Sequence, residues 1–135
     1  MERNNAWLEN RLRKIWQRYF SDLKQKNPIF IGFGRRARSR LGSIKYHKRS
    51  KTSIITLSGY FKNKEIPEFV IDAVLAHELV HYLHGFSSSY PRAWRYPHQG
   101  GIVNKELKKR GLGETLQLQK QWIKKYHGKF FSKKN

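Results

Sequence analysis

The sequence contains no cysteine, which excludes disulfides, cysteine-ligated zinc ribbons and thiol catalysis. It is also poor in acid, with two Asp and seven Glu among 135 residues. A metal site must therefore draw on those carboxylates and on six His. No apolar run approaches the ~20 residues that a membrane-spanning helix needs. Met1-Glu-Arg-Asn-Asn leads into an amphipathic pattern and not into the apolar core of a signal peptide. The expected location is the cytoplasm, and no membrane partner is expected.

Positive charge is what the chain has in excess. Twenty-nine Lys and Arg stand against nine acids, a net charge of +20. Such a surface attracts polyanions in a salt-dependent way, so DNA or RNA is an expected partner and the nucleoid an expected surrounding. Charge alone carries no base-specific information. Hydrophobic residues make up 38%, with 4 Trp, 7 Tyr and 8 Phe, which argues for a folded chain rather than a disordered basic one. The length suits one domain spanning 1–135, without repeats or linkers.

Hydrophobic periodicity predicts an N-terminal helix over 6–24, carrying Leu8, Leu12, Ile15, Trp16, Phe20 and Leu23 on one face and closed by Asn27-Pro28. Three β-prone runs follow, at 29–33, 41–46 and 53–58. Their short connections predict a small, mostly antiparallel three-stranded meander, because a parallel pair needs a longer crossover. Those connections hold Arg35, Arg36, Arg38, Arg40, Lys48, Arg49 and Lys51, the expected nucleic-acid contacts. Pro67 and Glu68 open a second helix that ends at Gly85. A loop over 86–98 precedes helices near 101–110 and 114–127, ended by Gly111 and Gly128, and 128–135 reads as a frayed basic tail. The expected class is α+β: an N-terminal helix, the small sheet, an active-site helix of zincin type and C-terminal helices.

The active-site helix carries His77-Glu78-Leu79-Val80-His81, an H-E-x-x-H pentapeptide. Residues four apart lie one turn above each other on one helix face, so both imidazoles can converge on one ion. Imidazole suits zinc, which in catalytic sites takes a third protein ligand and keeps one position open for water. Glu78, one residue past the first ligand, is placed to act as general base toward that water. The cofactor expected is one zinc ion. A metzincin would have Gly at 84 and His at 87, whereas this chain has His84 and Ser87. His84 shares the helix face of His77 and His81 but lies beyond their point of convergence. Two candidates remain for the third ligand: His98, after the loop, and Glu106, on the following helix.

Arg40-Leu-Gly-Ser43, Ile55-Thr-Leu-Ser58 and the apolar lead-in Val70–Ala76 to the pentapeptide resemble the SprT-like and YgjP-like metallopeptidases. The stretch from His98 to Gly111 is similar to the segment that completes a three-His zinc site in that family. The resemblance covers about residues 28 to 113, its one strong motif being the pentapeptide. It implies a zinc-dependent metalloendopeptidase, with His77, His81 and His98 as ligands and Glu78 as base, acting on protein or peptide, including nucleic-acid-bound protein. Unlike many members, this sequence has no cysteine for a C-terminal zinc ribbon, and any tethering to nucleic acid is expected of its own basic surface. The competing expectation is a basic nucleic-acid-binding module in which the zinc site is structural or vestigial.

Tyr90 and Tyr96, with Arg92 and Arg95, lie in the loop before His98 and are candidate donors to an oxyanion. Asp72 is a candidate partner for a ligating imidazole, although its angular position favours a surface role. Trp7, Trp16, Trp94 and Trp122 are expected to pack rather than to stack on bases.

Overall fold

The computed structural model describes residues 2–132. Helix α1 runs over Asn5–Tyr19, strands β1, β2 and β3 over Ile29–Phe33, Gly42–His47 and Thr52–Leu57, and helix α2 over Glu68–Leu83. Helices α3 (Ile102–Lys109) and α4 (Gly113–Phe130) complete the α+β architecture.

Asn4 starts α1 by accepting a hydrogen bond from the Trp7 N–H at 2.8 Å. The helix stops at Tyr19, short of the expected 24. Phe20 leaves helical geometry with φ −129°, and the chain turns so that Phe20 and Leu23 still reach the core. The apolar spacing therefore continues past the helix, because a turn can satisfy it as well.

The sheet is mixed and not a meander. Its order is β1-β3-β2, with β1 parallel and β2 antiparallel to β3. The connection from β1 to its parallel partner contains the whole of β2, so the crossover length that parallel pairing demands is present. One consequence bears on the site: β2 is an edge strand.

Helix α2 is central. It packs against α1, β2, α3 and α4 and buries residues around its circumference, from Val70 and Ile71 to Tyr82, as an all-round apolar helix should. Its start is tied to α1 by Arg11, which meets Asp72 at 2.6 Å and Glu68 at 3.0 Å. It ends at His84, and Gly85 follows with φ +80°. A Cβ at Gly85 would come within 2.3 Å of the Pro91 carbonyl oxygen, so glycine is required there on two counts.

Two expectations at the C-terminus change. Helix α4 continues through Gly128 to Phe130, and Phe131 is 1% exposed, packed against Tyr60, Phe61 and Trp122. The frayed tail expected over 128–135 is therefore ordered and anchored as far as 132. The burial of Phe131 outweighs the breaking tendency of one glycine. Residues 133–135 of that expectation lie outside the described residues. Trp122 is buried as expected, whereas Trp94 is 43% exposed.

A buried polar network anchors the loop after α2. The Tyr82 hydroxyl accepts from the Lys26 and Asn27 N–H groups at 3.0 and 3.1 Å and donates to the Asn27 carbonyl at 3.2 Å. The Asn27 side chain donates to Ser53 Oγ and accepts from the Ser89 N–H, each at 2.9 Å. Ser53 Oγ in turn donates to the Ser87 carbonyl at 2.6 Å. Tyr82→Phe, which leaves these backbone groups without their partner, is expected to cost about 2 kcal/mol. Chemical denaturation would read this as a lower midpoint at unchanged slope.

Candidate metal centre

The helical repeat places His77 and His81 on one face of α2, toward the end of the helix that meets the loop. The loop then returns His98 to the same point. It is fixed on the way by the Ala93 N–H donating to the His84 carbonyl at 2.8 Å and by the close pass of Pro91 over Gly85. After His98, Gly100 and Gly101 both take left-handed backbone (φ 58° and 68°) and launch α3. The Nε2 atoms of His77, His81 and His98 stand 3.1 Å apart in all three pairs.

Those three contacts cannot all be hydrogen bonds. A neutral ring nitrogen offers either one N–H or one in-plane lone pair, so a triangle of touching nitrogens leaves most of its contacts unsatisfied. A cation facing the triangle takes three lone pairs at once. Metal–imidazole bonds of about 2.0–2.1 Å in tetrahedral geometry require nitrogens roughly 3.3 Å apart, close to the spacing here. His77, His81 and His98 can therefore hold a metal ion.

The protonation states agree with that use. Burial, with the neighbouring His98, depresses the His77 pKa to about 4. Burial together with His77, His98 and His84 depresses that of His81 to about 3. Both rings are thus held neutral, the form that binds metal.

Glu78 is 5% exposed and lines the same cleft as the three His. Burial raises its pKa to about 7, with Arg40 pulling the other way. Its carboxylate lies over Gly42 of β2. A Cβ there would meet Glu78 Oε2 at 3.1 Å and Val74 Cγ1 at 2.5 Å, so the absent side chain is what lets strand and helix approach. The ionisation has a readable consequence in metal-free protein. The folded state holds a proton on Glu78 that the unfolded chain releases at its ordinary value of 4.5. The resulting stability is fully present below pH 4.5 and is lost as pH rises through 7. Glu78→Gln removes this loss, so the variant should gain on wild type across that window, by on the order of 3 kcal/mol above pH 8. Chemical denaturation of both proteins at a series of pH values would measure the difference.

The cleft has a volume of about 700 Å³. One wall is the edge strand β2 with Gly42, Ser43, Ile44 and Tyr46, and the other is the loop with Phe86, Ser87, Arg92 and Pro97. Arg40 and Lys48 stand at the two ends of β2 and also line it.

Several sequence candidates lie elsewhere. Glu106 is bound by Arg110 at 2.8 Å and sits 4.0 Å from His84 Nε2, outside the three-His cluster. His84 is buried and stays apart from the cluster, against Trp94. Asp72 is held by Arg11, and His81 Nδ1 is buried without a partner among the described residues, so no carboxylate stands behind that ligand. Tyr90 donates its hydroxyl to the Lys24 carbonyl and packs on Tyr82. Tyr96 is 57% exposed, with Arg95 over its ring, and does not line the cleft. Arg35, Arg36, Arg38, Arg49 and Lys51 are exposed in the connections flanking β2.

Tyr46 was not singled out from the sequence, yet it is the tyrosine on the cleft wall, its hydroxyl 2.9 Å from Ser89 Oγ. A signal existed: Gly42, Ile44 and Tyr46 are two apart on one strand and share a face. No helix is long and apolar enough to cross a membrane among the described residues. Comparison of the chain with protein-family models, with curated proteins and with solved structures found no match.

Proposed function

We propose that this protein is a zinc-dependent metallopeptidase. The observation that carries the reading is the convergence of three imidazole nitrogens in an open cleft that also holds a buried carboxyl group, Glu78. Three His and no sulfur favour zinc. A closed structural site would take four protein ligands, whereas three ligands facing a cleft match the catalytic pattern. A zinc ion bound there supplies Lewis acidity, polarising a carbonyl and lowering the pKa of water toward neutrality.

The chain's own residues supply the rest. Glu78 takes a proton from the water that adds to the peptide carbonyl carbon, then gives it to the amine nitrogen as the C–N bond breaks. In the metal-free site burial raises the pKa of this carboxyl, with Arg40 pulling the other way, so the surroundings of Glu78 favour uptake of the proton it is to carry. The outer edge of β2 offers backbone groups to an extended substrate, with the Ser87 hydroxyl already donating to the Ile44 carbonyl at 3.1 Å. Tyr46, on the cleft wall, takes the donor role expected of Tyr90 or Tyr96. The exposed cations Arg35, Arg36, Arg38, Arg49 and Lys51 provide a surface for a polyanion beside the site.

The test is metal content and proteolysis together. Purified protein should carry one zinc per chain and cleave an unfolded protein. A chelator should abolish the cleavage and added zinc restore it. Protein without stoichiometric metal, or cleavage indifferent to the chelator, would sink the proposal.

A further inference from the structure

We propose that the cleft selects peptide segments carrying carboxylate side chains on both sides of the bond to be cut. The inference rests on the peptidase reading and names the substrate class of that site. Three cations line the cleft: Arg40 and Lys48 beyond the two ends of β2, and Arg92 on the opposite lip. All three are exposed. The one carboxylate of the lining, Glu78, is buried and committed to the chemistry.

The ion pairs among the described residues lie elsewhere. They join Arg11 to Glu68 and Asp72, Arg110 to Asp22 and Glu106, and His84 to Glu106. Arg40, Lys48 and Arg92 therefore have no carboxylate within 4.0 Å among the described residues. Arg92 is instead steadied by the Phe86 ring, with its guanidinium carbon 4.9 Å from the centroid. Positions 40 and 48 are eight residues apart, up to about 26 Å along an extended strand. An extended peptide lying along β2 thus meets a cation on each side of its centre. A lysine-rich segment would be repelled from the same cleft. Nucleic acid fits the lining less well. The exposed rings that would stack bases, Phe30, Trp94 and Tyr96, are not on it, and the wall is a strand edge suited to pairing with a peptide backbone.

The test uses the full chain and three pools of fluorescent peptides with the same randomised centre, flanked by Glu, by Gln or by Lys. Binding is read by anisotropy on Glu78→Gln protein, and cleavage on wild type. The Glu-flanked pool should bind about tenfold more tightly than the Gln-flanked pool at low salt, since each exposed charge pair contributes a few-fold at most. The preference should fade as salt is raised and collapse in Arg40→Gln/Lys48→Gln/Arg92→Gln. The corresponding triple change to Glu should turn the preference to the Lys-flanked pool. Equal binding of the Glu and Gln pools, or a preference that survives the triple change, overturns the inference. Cleavage at equal rates on both pools also overturns it while leaving the peptidase reading intact. Charge-selective binding that depends on the three cations, with no pool cut, supports it and removes the peptidase reading instead.

Discussion

Glu78→Gln should lower turnover of an unfolded protein substrate by about 10²–10⁴-fold, the range that a positioned general base supplies, while metal content stays at the wild-type level. The two halves of this outcome have separate causes. Glutamine has nearly the size of glutamate, so it fills the same space against Gly42 and leaves the packing of α2 against β2 undisturbed. Glu78 is also no member of the histidine cluster, so its loss removes no metal ligand. What disappears is the group that accepts a proton from water and returns it to the leaving amine. Burial already raises the pKa of that group in the metal-free site, which eases its uptake of a proton. Turnover assays run beside metal analysis on the same preparation separate this outcome from unfolding or loss of the ion. Retention of wild-type turnover by the glutamine variant would take the base role away from Glu78.

The parts of this site that were legible in the sequence are those fixed by local geometry. The pitch of a helix sets the relation of His77, Glu78 and His81, so spacing alone placed them. Glu68 in the first turn and Gly85 after the last punctuated that helix for the same reason. His98 is different. It lies 17 residues beyond His81, and its arrival depends on contacts that no periodicity encodes, such as Pro91 over Gly85 and the Ala93 bond to His84. Its place after the loop and before a helix makes it a candidate, and the resemblance favours it over Glu106. Strand order was hidden likewise, because the runs at 29–33 and 53–58 read the same in parallel or antiparallel pairing. Tyr90 and Tyr96 looked like site residues because they stand close to His98 in the chain. The loop instead turns one toward Lys24 and the other outward. The last turn of α4, from Gly128 to Phe130, was hidden because a glycine reads as a helix stop, whereas the burial of Phe131 is a tertiary contact that no local pattern encodes.

His98→Ala and Glu106→Ala should part company in metal binding, and the contrast decides which residue closes the site. His98 Nε2 stands 3.1 Å from each of the other two ligand nitrogens, so its removal takes away one of three donors. The expected loss of zinc affinity exceeds the 10–100-fold that accompanies removal of an outer partner. Glu106 faces the other way. It accepts a hydrogen bond from Arg110 Nε at 2.8 Å, and the same arginine reaches Asp22 and the Tyr19 carbonyl. It therefore steadies Arg110, which ties the end of α3 to the end of α1, and does not face the ion. Glu106→Ala should keep stoichiometric zinc and lose about 1–2 kcal/mol of stability, since Arg110 is left with fewer partners beside a buried Phe20. Competition titrations with a chromogenic chelator, run beside thermal denaturation, read both quantities. If Glu106→Ala loses the metal while His98→Ala keeps it, the glutamate is the third ligand and the imidazole triangle is not the site. If both lose it, the ion needs the anchoring of α3 as well as the ring, because α3 begins within four residues of His98 and a loosened helix would carry that ring out of the cluster.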